Sequence, residues 1–260
     1  MQMKKVTFIL VMMAFSATSC IRDLICIEGN GIIETESRNT SSFNQIENST
    51  EADVIYIQSD NVTITVRAES NLLGHIETET FNGKLRIGTD RHVNCIDYHE
   101  KPVITVTSPE LKNVELSGSG NLFADILSGN SVIIKLSGSG DVIAESLSSD
   151  DLSLVISGSG NIEISEASCQ DADFNLSGSG DIDIRGEADR GHFRISGSGD
   201  INSGEFQLSN ATETISGSGN IFTWVVNSLT AVLSGSGNIY LKGDPSINQN
   251  LSGSGRVIKY

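Results

Sequence analysis

The stretch Leu136-Ser137-Gly138-Ser139-Gly140-Asp141-Val142 decides the fold, because it returns as Ile156-Ser157-Gly158-Ser159-Gly160-Asn161-Ile162 and again as Leu176-Ser177-Gly178-Ser179-Gly180-Asp181-Ile182. Ser-Gly-Ser-Gly begins eight times, at Ser117, Ser137, Ser157, Ser177, Ser196, Ser216, Ser234 and Ser252, with spacings of 20, 20, 20, 19, 20, 18 and 18 residues. A flexible Gly/Ser linker has neither a fixed period nor apolar flanks. Here every copy follows Leu or Ile and is followed by one polar residue and then Leu, Val or Ile.

Alignment on the motif gives two apolar columns, one ending at Leu116, Leu136, Ile156, Leu176, Ile195, Ile215, Leu233 and Leu251, the other starting at Leu122, Val142, Ile162, Ile182, Ile201, Ile221, Ile239 and Val257. Each unit reads as two short strands joined by a glycine corner, with a looser return such as Ser146-Leu147-Ser148-Ser149-Asp150. One unit is too small to bury its apolar side chains, so units must stack about 4.8 Å apart and share a core. No window keeps an apolar period of about 3.6 residues, so the chain reads as all-β. Parallel crossovers are right-handed, and the expected fold is a right-handed parallel β-helix of 18–20-residue coils. The corner glycines are Gly118, Gly120, Gly138, Gly140, Gly158, Gly160, Gly178, Gly180, Gly197, Gly199, Gly217, Gly219, Gly235, Gly237, Gly253 and Gly255. Positive φ at the corner is the expected reason for them.

After each corner stands Asn121, Asp141, Asn161, Asp181, Asp200, Asn220, Asn238 or Arg256, which predicts a ladder of polar side chains along the stack. Asp181 above Asp200 reads as a repulsive pair, relieved by solvent or a cation, and these two are the only metal candidates on the ladder. The Gly-Gly-x-Gly-x-Asp calcium repeat does not fit, because only three copies carry Asp and a second glycine turn is missing. Lys242, Pro245, Arg256 and Lys259 in the last coils read as blockers of an open edge.

Residues 1–19 read as a leader peptide, with Lys4 and Lys5 before an apolar run that ends in Ala17-Thr18-Ser19-Cys20. Cys20 is then the lipidated first residue of an exported lipoprotein. Ala17 stands where a lipobox more often carries Leu, and an ordinary cleaved secretory signal is the other reading. Residues 20–40 read as a tether and lead-in segment, 41–110 as an N-terminal β cap or irregular first coils, and 111–260 as the repeat β-helix. Removing the leader moves the formal charge from −16 to −18. Such a body repels phosphate backbones, which excludes nucleic-acid binding, and membrane attachment falls to the lipid. An exported compartment permits a disulfide between Cys26 and Cys95, both outside the repeats, leaving Cys169 as a small buried apolar residue.

The blocks Phe43-Asn44-Gln45-Ile46, Ala52-Asp53-Val54-Ile55-Tyr56-Ile57 and Gly83-Lys84-Leu85-Arg86-Ile87, followed by repeated Ser-Gly-Ser-Gly-Asn/Asp-Ile, resemble the auto-transporter adhesin, head GIN domain family from about residue 40 to the C-terminus. The resemblance implies a right-handed β-helix, export, a lipoprotein of the outer membrane in Bacteroides-type bacteria, and adhesion. It carries no catalytic motif onto these positions.

Catalysis needs unique residues placed together, and repeats are not unique. The Gly-Ser-Gly units lack the Gly-x-Ser-x-Gly elbow. In His92-Val93-Asn94-Cys95-Ile96-Asp97-Tyr98-His99, strand geometry would put Cys95, Asp97 and His99 on one face, as metal ligands or as an ordinary disulfide-anchored edge. Glu163, Asp183 and Asn202 occupy equivalent outward positions and form either an acidic stripe of a carbohydrate-active β-helix enzyme or a solvated face. The reading adopted is a non-catalytic envelope lipoprotein without cofactor, presenting a rigid surface to a glycan or protein ligand, with a polysaccharide lyase or glycosidase as the alternative.

Overall fold

The computed structural model describes residues 26–93 and 95–260, so the leader peptide and Cys20 lie outside the described residues. Six long strands, Leu122–Leu136, Val142–Ile156, Ile162–Leu176, Ile182–Ile195, Ile201–Ile215 and Ile221–Leu233, pair in parallel, each with the next. Leu136, Ile156, Leu176, Ile195, Ile215 and Leu233 thus stand one rung apart, as the repeat requires. The result is a β-solenoid. Its interior holds one continuous apolar cluster, in which Phe174 and Phe193 stack at 4.4 Å between ring centroids.

The return between repeats is not loose. Ser146, Leu147 and Ser148 pair with Ile126, Leu127 and Ser128 on one side and with Glu166, Ala167 and Ser168 on the other, and Leu147 is buried. Each coil therefore closes a third hydrogen-bonded side around the core, because Leu127, Leu147 and Ala167 give that side its own inward column.

The corner glycines also need a different explanation from the one expected. Among the described residues, positive φ occurs at Gly31, Gly83, Gly186, Gly243 and Asn82, none of them in a Ser-Gly-Ser-Gly motif. What excludes a side chain is the coil before: a Cβ on Gly158 would stand 2.0 Å from the Gly138 carbonyl oxygen, and one on Gly160 1.9 Å from that of Gly140. The backbones close up because Ser159 N–H donates to Gly138 O at 3.0 Å. Glycine is thus required by stacking, not by turn geometry.

Coils of unequal length stay aligned because the register slips away from the corner. Between Ile164 and Ala167 three steps face two in the next coil, and Gly186, at φ 122°, takes up the difference. Further on, four steps from Ser203 to Gln207 face one in the next coil and two from Leu208 to Asn210 face three, which together fit a 20-residue coil to an 18-residue one.

The N-terminal region is both coil and cap. Asn48-Ser49-Thr50-Glu51-Ala52-Asp53 is a ninth corner, since Asn48 pairs with Leu116 and Val54 with Leu122, while Gly118 and Gly120 lie against the Thr50 and Ala52 carbonyls. It lacks glycine because the chain before it swings wide, leaving a space of about 300 Å³ lined by Thr50, Glu51, Cys95 and Tyr98. Beneath this first coil, Ile33–Arg38, Thr63–Glu69 and Val103–Ser108 run antiparallel, and Ile76–Phe81 and Lys84–Thr89 form a hairpin on Asn82-Gly83. Cys26 and Cys95 are joined by a disulfide beside a short pairing of Ile27–Glu28 with Ile96–Asp97.

At the other end, Arg256 Nη1 donates to the Ser254 and Gly255 carbonyls at 2.9 and 2.8 Å and covers part of the last corner. Pro245, expected on the open edge, is buried instead, and Lys242 lies 3.9 Å over the Trp224 ring.

Candidate functional site

Alternation along each strand after the corner points one residue inward and the next outward. Because Ile162, Ile182, Ile201, Ile221 and Ile239 all face the core, Glu163, Asp183, Asn202, Phe222 and Tyr240 form one outward column on successive rungs. In the other direction the same column continues through Ile143, Phe123 and Ile55. One line on the surface thus passes from apolar to acidic to aromatic.

The acidic part of that line lies in a groove of about 370 Å³ lined by Glu163, Asp183, Arg185, Asn202, Glu205, Lys242 and Tyr260. Its wall arises from unequal coil lengths: Gly204, Glu205 and Phe206 have no counterpart in the shorter next coil, and while Phe206 turns into the core, Gly204 and Glu205 bulge outward, with Glu205 in a 2.8 Å ion pair with Arg185. Tyr260 closes one end, its hydroxyl 2.7 Å from where a Cβ on Gly204 would stand, so Gly204 leaves the room for it. Lys242 Nζ approaches the Gly204 carbonyl at 3.5 Å. Burial raises the Asp183 carboxyl above the usual carboxylate range; the Asn202 side chain opposes this, and the charges of Asp181 and Glu163 add to it. Such a groove presents hydrogen-bond acceptors on neighbouring rungs, with cations at its rim.

The aromatic rings use their faces on each other. Phe222 and Tyr240 stack at 4.7 Å and 9°. They therefore offer edges, rather than an open platform, to a ligand arriving from solvent.

The other candidates are not brought together. Cys95 is in the disulfide, His92 is exposed with its Nδ1 2.9 Å from Asp90, and His99 Nδ1 lies 3.0 Å from Glu69. Among the described residues no group of three or more His, Cys, Asp or Glu side chains is placed to hold a metal ion, and Asp181 and Asp200 act as ladder members. Cys169 is only partly buried; burial pushes its thiol up to about 12, with Asp171, Asp151 and Asp189 adding to the shift, so it is a poor nucleophile. Sequence reasoning found the Glu163, Asp183 and Asn202 stripe but not Arg185, Glu205, Lys242 or Tyr260. Those residues reach the groove through a bulge and from a later coil, and the repeat alignment shows neither.

A comparison with curated proteins finds no match. Among solved structures, a putative adhesin from Parabacteroides merdae is similar at 26% identity and a TM-score of 0.82, with 90% of this chain and 98% of that chain covered. A structure described as a putative lipid binding protein from Parabacteroides distasonis is similar at 31% identity and a TM-score of 0.84, over 90% of this chain and 99% of that chain. A putative adhesin from the same organism is similar at 26% identity and a TM-score of 0.84, with the same shares covered. The family model described as "Putative auto-transporter adhesin, head GIN domain" matches residues 42–245, and this chain belongs to that family.

Proposed function

We propose that the chain is a non-catalytic adhesion module of the cell envelope, held to the outer membrane by a lipid on Cys20, and that its groove takes an extended glycan. The observation that carries this reading is the outward column, in which acceptors from Glu163, Asp183 and Asn202 repeat at the rung spacing beside Lys242 and Tyr260. A polyhydroxylated chain lying along the solenoid axis meets one such group per rung of about 4.8 Å. Membership of an adhesin family and similarity to adhesin structures support it.

The test is a glycan array with the processed chain, followed by titration of any ligand found against Asp183→Ala and Glu163→Ala. Loss of affinity by tenfold or more, with the melting temperature unchanged, is expected. Turnover of a polysaccharide that Asp183→Asn abolishes would replace the adhesin reading with the glycosidase or lyase alternative. A Cys20→Ser chain recovered from the soluble fraction is the expected result for the lipid anchor.

One observation favours a second ligand class. Ile55, Ile57, Phe123 and Ile126 are exposed at the cap end of the solenoid, and the Parabacteroides distasonis relative is described as lipid binding. An acyl chain lying on this face would be detected as partitioning of the chain to neutral vesicles, lost in Phe123→Asp.

A further inference from the structure

The last coil carries a strand of unusual composition. Ser246–Leu251 pairs in parallel with Ser228–Leu233, and all six of its residues are exposed. Ile247, Gln249 and Leu251 continue the inward columns of Leu229, Ala231 and Leu233, but Ile247 and Leu251 keep 38% and 36% of their surface. The edge itself is unguarded. An exposed strand is ordinarily protected from pairing by charge, Pro or a bulge. Ser246–Leu251 has no charged residue and no Pro, in a chain of formal net charge −16, and its register with Ser228–Leu233 is unbroken. Arg256 covers the neighbouring corner but not this strand.

The order of side chains is self-complementary. Reading from either end, Ile247-Asn248-Gln249-Asn250-Leu251 runs apolar, Asn, Gln, Asn, apolar. Such a strand, turned about a two-fold axis through its central residue, meets itself like with like, which is the requirement for an isologous contact. The opposite end of the solenoid offers no equivalent. The outer strand of the same face, Ile76–Phe81, is antiparallel to the body and carries Glu77 and Glu79, and that of the neighbouring face, Ile33–Arg38, carries Glu34, Glu36 and Arg38, so head-to-tail growth is not matched.

We propose that two copies of this chain associate end to end, Ser246–Leu251 pairing antiparallel with the same strand of the second copy about a two-fold axis at Gln249. Ile247 then faces the partner's Leu251, Asn248 faces the partner's Asn250, and Gln249 faces its own counterpart. The two exposed core ends cover each other, and the solenoids point away in opposite directions, leaving both N-terminal regions outside the contact.

The experiment is sedimentation of the full chain in detergent across its soluble concentration range, with Gln249→Glu and Gln249→Lys. Wild type is expected to show a monomer–dimer equilibrium. Each variant alone sets like charges face to face and is expected to raise the dissociation constant by about tenfold or more, and an equimolar mixture of the two to restore association. Because Gln249 is exposed, neither change should disturb folding, which unchanged melting temperatures would verify. A wild type that remains monomeric at its highest soluble concentration would overturn the proposal, and so would a dimer indifferent to both variants.

Discussion

The side-chain carboxylate of Asp181 accepts the backbone N–H of Asp200 at 2.7 Å, one rung along the stack. Two carboxylates on adjacent rungs are therefore not simply opposed, because the first is tied to a peptide donor of the second. The same bond repeats from Asp53 to Asn121, Asn121 to Asp141, Asp141 to Asn161 and Asn161 to Asp181, and then from Asp200 to Asn220, Asn220 to Asn238 and Asn238 to Arg256. Only a side chain with a short oxygen arm reaches that donor, and so Asn and Asp alternate freely. Arg256, which has no acceptor, ends the ladder.

Asp181→Asn keeps the acceptor and removes a charge beside Asp200 and Asp183. It is expected to leave stability unchanged or slightly raised, whereas Asp181→Ala strands the Asp200 N–H and should cost about 1–2 kcal/mol. Denaturant midpoints of the two variants provide the check, and equal losses would remove the ladder from the account.

Gly158→Ala sets a methyl carbon 2.0 Å from the Gly138 oxygen, a contact that only separation of two coils relieves. A loss of about 3 kcal/mol or more in unfolding free energy is expected. Gly129→Ala, whose Cβ would meet only Lys112 side-chain carbons at 3.7 Å and beyond and the Ser131 carbonyl oxygen at 3.9 Å, is the control and should be nearly silent. A silent Gly158→Ala would refute close backbone stacking.

Glu213 stands in the core column between Phe193 and Ala231, without exposed surface and with no hydrogen-bond partner for either carboxyl oxygen. Burial pushes its carboxyl up to about 8. The folded chain then holds a proton that the unfolded chain releases near pH 4.5, so this group's contribution to stability falls as pH rises from about 4.5 to about 8. Glu213→Leu should flatten that slope and stabilise by about 2 kcal/mol at pH 8, with little gain at pH 4. Thermal melts of both chains across that range would reveal a parallel pH dependence if the site were ionised throughout.

Glu69, fully buried, accepts the Gly31 N–H at 2.6 Å and the His99 N–H at 3.0 Å, with His99 Nδ1 also at 3.0 Å. Burial alone would raise its carboxyl, but the bonds from Gly31 and His99 hold it below the usual range, and the Glu69 side chain and charge raise His99. The carboxylate's contribution is lost as pH falls through its lowered value, and the imidazolium's as pH rises through its raised one. Amide protection across Ile27–Arg38, taken relative to the intrinsic exchange rate at each pH, should be greatest between those two limits and lower there in Glu69→Gln. Mass-resolved hydrogen exchange that finds no difference between the chains would show that Glu69 does not hold the N-terminal segment.

The rung-on-rung order was legible because Leu136, Ile156 and Leu176 recur with their corners at a fixed period, and periodicity is a one-dimensional property. The Glu163, Asp183 and Asn202 line was legible for the same reason. The corner at Asn48–Asp53 was not, since its glycines are replaced where no neighbouring coil presses. Nor was the reason for glycine at Gly138 and Gly158, because a close approach between backbones leaves no mark distinguishing it from a turn.

The linear order of residues by itself determined that short units must pile up around shared apolar columns, because no unit could bury Leu, Val and Ile alone. Tertiary structure alone decided where the pile departs from its own repeat. Residues left over when a coil of one length meets a shorter one have to bulge somewhere, and at Gly204 and Glu205 they bulge outward to make a groove that Lys242 and Tyr260, from other coils, complete.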